Sequence, residues 1–281
     1  MNDTRFLEVP GGTIAYEIAG DGPLVVLSPG LADTRASYRF LLPLLVDAGY
    51  RVAAVDLRGH GDSSTGWDTY TRTDTANDLL AVVRHLGGPA TIVGQSFAGG
   101  SATIAAATAP DLVDAIVEIG PFTRAPKMSL GALLRNDHNY RRGSLLLGRY
   151  LLRGNPDTWA TYLDVAYPGV KPADWDPWLA SVVAKLREPG RTEAALGMVK
   201  AKPADAAAKL GDVTVPALIV MGDVDSDFAD PAAEATGITE AMVQTTARAE
   251  MIAGAGHYPH AQFPAEVAAV VLPFLAEVAR A

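Results

Sequence analysis

The stretch from Ala90 to Ala109, ATIVGQSFAGGSATIAAATA, restricts the fold more than any other part of the chain. Its apolar run Thr91-Ile92-Val93 is compact enough for a strand buried on both faces. The chain then turns through Gly94-Gln95-Ser96-Phe97-Ala98 and continues as an alanine-rich segment that reads as a helix. A strand, a tight turn and a helix with a serine at the apex bring two backbones close together. The flanks must therefore be small, which Gly94 and Ala98 satisfy.

On either side the chain alternates strand-like and helix-like segments. Phe6 to Val9 and Thr13 to Ile18 are short β-like runs joined by Pro10-Gly11-Gly12, a hairpin signal. Leu24 to Leu27 is a continuous apolar run ending in Ser28-Pro29-Gly30-Leu31, after which Tyr38, Leu41, Leu42 and Leu45 fall at helical spacing. Arg51 to Val55 is a further buried strand, followed by the polar loop Asp56-Leu57-Arg58-Gly59-His60-Gly61-Asp62-Ser63. Ala76, Leu79, Leu80, Val83 and Leu86 then line one face of a helix stopped by Gly87-Gly88. Ala115 to Ile119 follows the central stretch as another strand. Such alternation predicts right-handed crossovers and an α/β fold with a mostly parallel sheet.

From Gly120-Pro121 to about Lys209 the pattern changes. Helical stretches at Leu130 to Leu134, Leu145 to Leu152 and Leu179 to Leu186 contain no strand signal, and Trp159, Trp175 and Trp178 concentrate there. This predicts a helical lid over residues 123–209, with residues 1–122 and 210–281 forming the sheet domain. Beyond it, Ala217 to Met221 and Glu250 to Ile252 read as the last strands, with helical regions after Pro231 and toward the C-terminus, where Val267, Val270, Val271, Phe274 and Leu275 share a face and Pro273 invites a kink.

Charge and composition narrow the chemistry. The net charge of −9 disfavours general nucleic-acid binding. From Arg124 to Lys209, however, 14 Lys and Arg face 8 Asp and Glu, so the segment is basic within an acidic chain. That asymmetry raises an anionic substrate or an acyl carrier protein as a partner, beside the plainer reading of a solvated helical face. The absence of cysteine removes disulfides, thiolate nucleophiles and cysteine metal sites together. Neither a secretory signal at Met1-Asn2-Asp3-Thr4 nor a run of membrane-spanning length is apparent, so a cytoplasmic, membrane-free location is expected. There is no H-E-x-x-H, no P-loop and no G-x-G-x-x-G following a strand, and neither a metal nor a cofactor is expected.

The turn around Ser96 resembles the nucleophile elbow, G-x-S-x-G, of the α/β-hydrolase fold family, with Ala98 in place of the last glycine. The resemblance implies a serine nucleophile followed in the chain by an acid and then a histidine. Asp225, in Met221-Gly222-Asp223-Val224-Asp225, matches the acid, and His257, in Gly254-Ala255-Gly256-His257-Tyr258-Pro259, matches the base. Asp223, Asp227 and Asp230 crowd the same loop, and Glu118 is a rival because some branches place the acid after the strand following the elbow. His60, in Arg58-Gly59-His60-Gly61, resembles a structural loop of the family rather than a base. The resemblance further implies an oxyanion hole from the backbone N–H groups of Leu31 and Phe97. In the insertion, on which the resemblance says little, Trp159, Tyr162, Trp175 and Trp178 are candidates to roof the pocket, with Trp159 and Tyr162 as substrate contacts. Serine at position 96 argues against a dehalogenase or epoxide hydrolase, which would carry aspartate there. The implied activity is hydrolysis of a small ester, lactone or thioester. The alternatives on the same triad are C–C bond hydrolysis, cofactor-free perhydrolase chemistry, or ligand binding with little turnover.

Overall fold

A computed structural model describes residues 3–125 and 138–280. Strands β1 (Arg5–Val9) and β2 (Gly12–Ala19) pair antiparallel as the hairpin signal predicts. They are followed by β3 (Leu24–Ser28), a 3₁₀ turn at Arg35–Tyr38, α1 (Leu41–Asp47) and β4 (Arg51–Val55). The helix expected through Tyr38 and Leu45 thus forms in two pieces, with Pro43 in the first turn of α1, where its missing N–H costs nothing. Next come α2 (Arg72–His85), β5 (Ala90–Gln95), α3 (Phe97–Thr108) and β6 (Val113–Ile119). Helices α4 (His138–Arg153), α5 (Pro156–Ala166), α6 (Trp175–Leu186), α7 (Arg191–Lys200) and α8 (Ala204–Ala207) lie between β6 and β7 (Ala217–Gly222). The chain ends with α9 (Pro231–Ala241), β8 (Ala247–Ile252), α10 (Pro259–Gln262) and α11 (Pro264–Val278), which continues through Pro273.

The eight strands form one sheet in the order β1-β2-β4-β3-β5-β6-β7-β8. Only the pairs involving β2 are antiparallel, and every pair from β3–β4 to β7–β8 is parallel. Helices cover both faces, so β3, β5 and β7 are buried at every residue, which is why they read as unbroken apolar runs. Alternate side chains feed two separate cores. Ile92, Ile116 and Ile219 pack with Leu79 and Val83 of α2 and Ala102 of α3. Val93, Val117 and Val220 pack with Leu41 and Leu45 of α1 and with Val267, Val271 and Phe274 of α11. The edge strand β8 is longer than its apolar stretch suggested, because Glu250 and neighbouring residues face solvent there.

The inserted segment packs around a third cluster, which it shares with Ala32, Tyr258 and Ala261 of the sheet domain. Tyr150, Trp159, Tyr162, Tyr167 and Trp178 are buried together, with Trp159 stacked on Tyr162 at 4.6 Å between ring centroids. The expected stretches at Leu145 to Leu152 and Leu179 to Leu186 lie within α4 and α6, while Leu130 to Leu134 lies outside the described residues. The described residues between β6 and β7 contain helices and turns but no strand. Among the described residues, no helix is long and apolar enough to cross a membrane.

Candidate active site

The site begins with backbone geometry. Ser96, between the end of β5 and the start of α3, has φ 53° and ψ −114°. Ala32, beside Leu31, is the other non-glycine residue with positive φ among the described residues, at 58°. L-residues held this way cost on the order of 1–3 kcal/mol and persist only where their surroundings fix them. Those surroundings are clear at Ser96: its N–H donates to the Ile119 carbonyl at 2.8 Å, and its own carbonyl accepts from Gly99 at 3.1 Å and Phe122 at 3.0 Å. The small flanks are required, since a Cβ on Gly94 would lie 2.3 Å from the Ala98 carbonyl oxygen. Ala98 in place of glycine is accommodated, its methyl buried beside Leu57, Phe97 and Met198.

Asp225 and His257 come from loops after β7 and β8, the two strands at one edge of the sheet. Nδ1 of His257 lies 2.9 Å from Oδ2 of Asp225, and both side chains are almost completely buried. Oδ1 of Asp225 accepts the Asp227 N–H at 2.9 Å, so both carboxylate oxygens are occupied. The His257 loop is clamped from two sides. Its N–H donates to the Ala166 carbonyl at the end of α5 at 2.9 Å, and its carbonyl accepts from Nε2 of Gln95 in the elbow at 3.2 Å. Glycine is needed before the histidine, because a Cβ on Gly256 would meet that same Ala166 oxygen at 2.2 Å.

The other face of the imidazole meets a second acid. Nε2 of His257 is 3.5 Å from Oδ2 of Asp227, which also accepts from the Tyr162 hydroxyl at 2.7 Å. Burial opposes a charged ring, but the two aspartates outweigh it and raise the His257 pKa to about 9. Burial, only partly offset by His257, raises the Asp227 pKa above the usual carboxylate range. Donor atoms of Asp225, Asp227 and His257 lie within 4.8 Å of one another, a spacing compatible with a cation, though Asp225 Oδ2 and His257 Nδ1 are already hydrogen-bonded to each other.

Ser96 and His257 line one cavity of about 220 Å³. Leu31 and Phe97 line it as well, and the Phe97 N–H, at the first position of α3, has no intrahelical acceptor. Trp159 and Tyr162 of α5 reach it, as does Met198 of α7. Trp175 and Trp178 do not, contrary to the expectation of a four-residue aromatic roof: they pack against Tyr167 at ring-centroid distances of 4.9 and 5.4 Å and hold the insertion together. Among the described residues the Ser96 hydroxyl is not hydrogen-bonded to the His257 ring, and the two are brought together as lining of the same cavity.

The rivals for these places have other partners. Glu118 accepts from the hydroxyls of Thr103 and Thr123. Asp223 accepts the Gly254 N–H at 2.7 Å, and Asp230 caps α9 through the Ala233 N–H at 2.9 Å. Nδ1 of His60 bonds the Arg58 carbonyl at 2.9 Å, and burial lowers its pKa to about 4, as suits a structural turn histidine. Two charged residues of the cavity lack a role in the sequence reading. Asp227 appeared only as a competitor for the place of Asp225, and its signal was the density of acids in that loop. Arg72 had no assigned role at all, and its signal was a cation directly after the N-cap Thr71, at the helix end that disfavours positive charge. Much of the basic character of the insertion is spent in ion pairs, including Lys185 with Asp62 and Glu188, Arg187 with Asp157, and Arg191 with Glu188.

Comparison with known proteins agrees with this architecture. A 2-(acetamidomethylene)succinate hydrolase from Mesorhizobium japonicum is 29% identical over 228 residues, covering 78% of this chain and 77% of that protein. The bifunctional epoxide hydrolase 2 of Rattus norvegicus is 32% identical over 93 residues, which cover 32% of this chain and only 17% of that longer protein. Among solved structures, a serine hydrolase involved in carbazole degradation superposes with a TM-score of 0.77 at 20% identity, covering 98% of this chain and 99% of the other. The family profile for the alpha/beta hydrolase fold matches residues 23–264, and the chain belongs to that family.

Proposed function

We propose that this hydrolase cleaves a small ester, lactone or thioester through an acyl-enzyme on Ser96. The observation that carries the reading is Ser96, held at positive φ on the elbow, opening into the same cavity as a histidine whose far nitrogen is bonded to Asp225. The Ser96 oxygen attacks the substrate carbonyl while Nε2 of neutral His257 takes its proton. Asp225 accepts the Nδ1–H, which fixes the tautomer that leaves Nε2 unprotonated in the neutral ring, and it stabilises the ring once it is charged. The backbone N–H groups of Phe97 and Leu31 receive the negative charge that develops on the carbonyl oxygen. The imidazolium then passes its proton to the departing alcohol or thiol. Water, deprotonated by the same ring, releases the acid and regenerates Ser96.

The insertion acts in this reading as a lid. Leu147, Leu151, Trp159 and Met198 supply an apolar wall opposite the elbow, suited to a hydrocarbon portion of the substrate. The epoxide hydrolases among the relatives do not alter the proposal, since Ser96 stands where aspartate would be needed to open an epoxide through an alkyl-enzyme ester. The test is labelling by a fluorophosphonate probe together with hydrolysis of p-nitrophenyl esters of several chain lengths. Labelling should map to Ser96, and Ser96→Ala should abolish it and lower kcat by at least ~10³-fold. Unlabelled protein without turnover would instead favour a ligand-binding member of the family.

A further inference from the structure

The cavity beside Ser96 holds a buried cation with no carboxylate at ion-pair distance among the described residues. Arg72 is 5% exposed and lines the cavity. Its Nε donates to the Phe122 carbonyl at 3.0 Å and its Nη1 to the Ala201 carbonyl at 2.8 Å. The guanidinium lies over the Phe97 ring, 4.3 Å from its centroid, and Phe97 directly follows Ser96. Its stem is fixed too: a Cβ on Gly100 would sit 2.8 Å from the Arg72 Cδ, so glycine there makes the room. A guanidinium carries five N–H donors, and these contacts use two. Among the described residues no carboxylate forms an ion pair with it, whereas the buried Arg58 is paired with Asp78 at 2.8 Å.

This placement is costly. A buried cation without a directly paired carboxylate loses hydration that neutral carbonyls only partly replace, and the N-terminus of α2 adds repulsion from its own dipole. Burial, only partly offset by the field of the more distant Asp205, lowers the Arg72 pKa to about 10, which still leaves it charged at neutral pH. The charge faces an otherwise largely apolar space in which Asp227 is the other charged side chain besides His257, and Asp227 is engaged with Tyr162.

We propose that Arg72 is a substrate-anchoring residue that pairs with a carboxylate carried on the substrate at some distance from the bond broken at Ser96. The inference rests on the hydrolase reading and narrows its substrate class to half-esters and related acyl compounds bearing a free acid. A carboxylate accepts two parallel N–H bonds from the guanidinium fork and supplies the missing counter-charge inside the cavity.

The test compares two substrates of matched size, monomethyl glutarate and methyl valerate, which differ in a terminal carboxylate against a methyl group. Wild-type protein should prefer monomethyl glutarate in kcat/KM by about 10–100-fold, the range expected of hydrogen bonds to a charged group. Arg72→Met should remove that preference through KM, so that the ratio of kcat/KM for the two substrates falls toward one whatever common loss both suffer. Arg72→Lys, which keeps charge and stem but loses the fork, should retain part of the preference. The half-esters from succinate to adipate, run as a series, should show one best length. No preference in the wild type, or an equal loss on both substrates in Arg72→Met with an unchanged preference ratio, would overturn the proposal and leave Arg72 as a strap between α2 and the insertion. Calorimetric binding of glutarate to Ser96→Ala, with and without Arg72→Met, needs no turnover. Loss of glutarate binding with the arginine supports the anchor even if Ser96 proves not to be the nucleophile, and glutarate binding that survives Arg72→Met counts against it.

Discussion

Two adjacent parallel strands each place a buried carboxylate near the crest of the sheet, and the two are not equivalent. Glu118 lies within β6, on the same face as Ile116, and is covered by α3. Its oxygens accept from Thr103 and Thr123, whose hydroxyls can turn and accept in their place. Asp225 lies three residues past β7 and receives the Asp227 backbone N–H, which can only donate, while its other oxygen meets Nδ1 of His257. The first environment tolerates either protonation state, and burial raises the Glu118 pKa to about 7. The second presents a backbone donor that cannot turn to accept. Adjacent strand ends therefore differ through the kind of group that meets the acid, not through depth of burial: Glu118 is 0% exposed and Asp225 3%.

Replacing Asp225 by asparagine is the most severe way to break this contrast. The amide keeps the shape but presents an N–H to the ring or forces the wrong tautomer, so kcat/KM on a p-nitrophenyl ester should fall by about 10³–10⁴-fold while the circular dichroism spectrum is retained. A loss of less than about 10-fold would mean that the Asp225–His257 bond is not used in turnover. The contrast would invert if the corresponding change at Glu118 were the damaging one.

How much of this was legible beforehand follows the same line. The strands, their alternation with helices and the sharp turn at Ser96 were readable because burial on both faces leaves an unbroken apolar run, and a close backbone approach leaves glycines such as Gly94. Asp225 and His257 stood out through their order along the chain and their places after strands. The second acid against the imidazole was not legible, since whether Asp223, Asp227 or Asp230 turns inward depends on a loop path that no periodicity encodes. Arg72 was obscured because α2 reads as an ordinary amphipathic helix, and its apolar pattern carries no mark of the cavity at its N-terminus. The aromatic residues of the insertion were visible as a group, yet only packing separates Trp159 and Tyr162, which reach the cavity, from Trp175 and Trp178, which do not.

The β7 side of the comparison is sharpened by Asp227→Asn, which removes one of the two negative neighbours of His257. A general base must be neutral, so with a pKa of about 9 the wild-type kcat/KM should rise with pH along a limb centred well above the ordinary histidine value. In Asp227→Asn the limb should move to lower pH, and the rate at pH 7 should increase several-fold, provided Tyr162 keeps its place. The stability term has the matching sign. A histidine whose pKa is raised on folding contributes stability that is complete below about 6.5 and lost as pH rises through about 9. A pH–rate profile indistinguishable from wild type would mean that Asp227 is neutral in the working enzyme and exerts no field on the ring.

The mildest change tests the β6 side. Glu118→Gln keeps an acceptor for one threonine and offers a donor to the other, whose hydroxyl can turn to receive it, so kcat/KM should stay within about 3-fold of wild type. Stability should reveal what activity does not. A carboxyl group whose pKa is raised to about 7 on folding holds its proton in the native state while the unfolded chain releases it near 4.5, so its contribution declines as pH climbs between those values. Glutamine carries no such proton. The difference in Tm, variant minus wild type, should therefore increase from pH 5 to pH 8, by about 2–4 °C for each kcal/mol recovered. A flat difference would place Glu118 among the ionised acids despite its burial, and a collapse of activity in a folded variant would move the acid of the triad from β7 to β6.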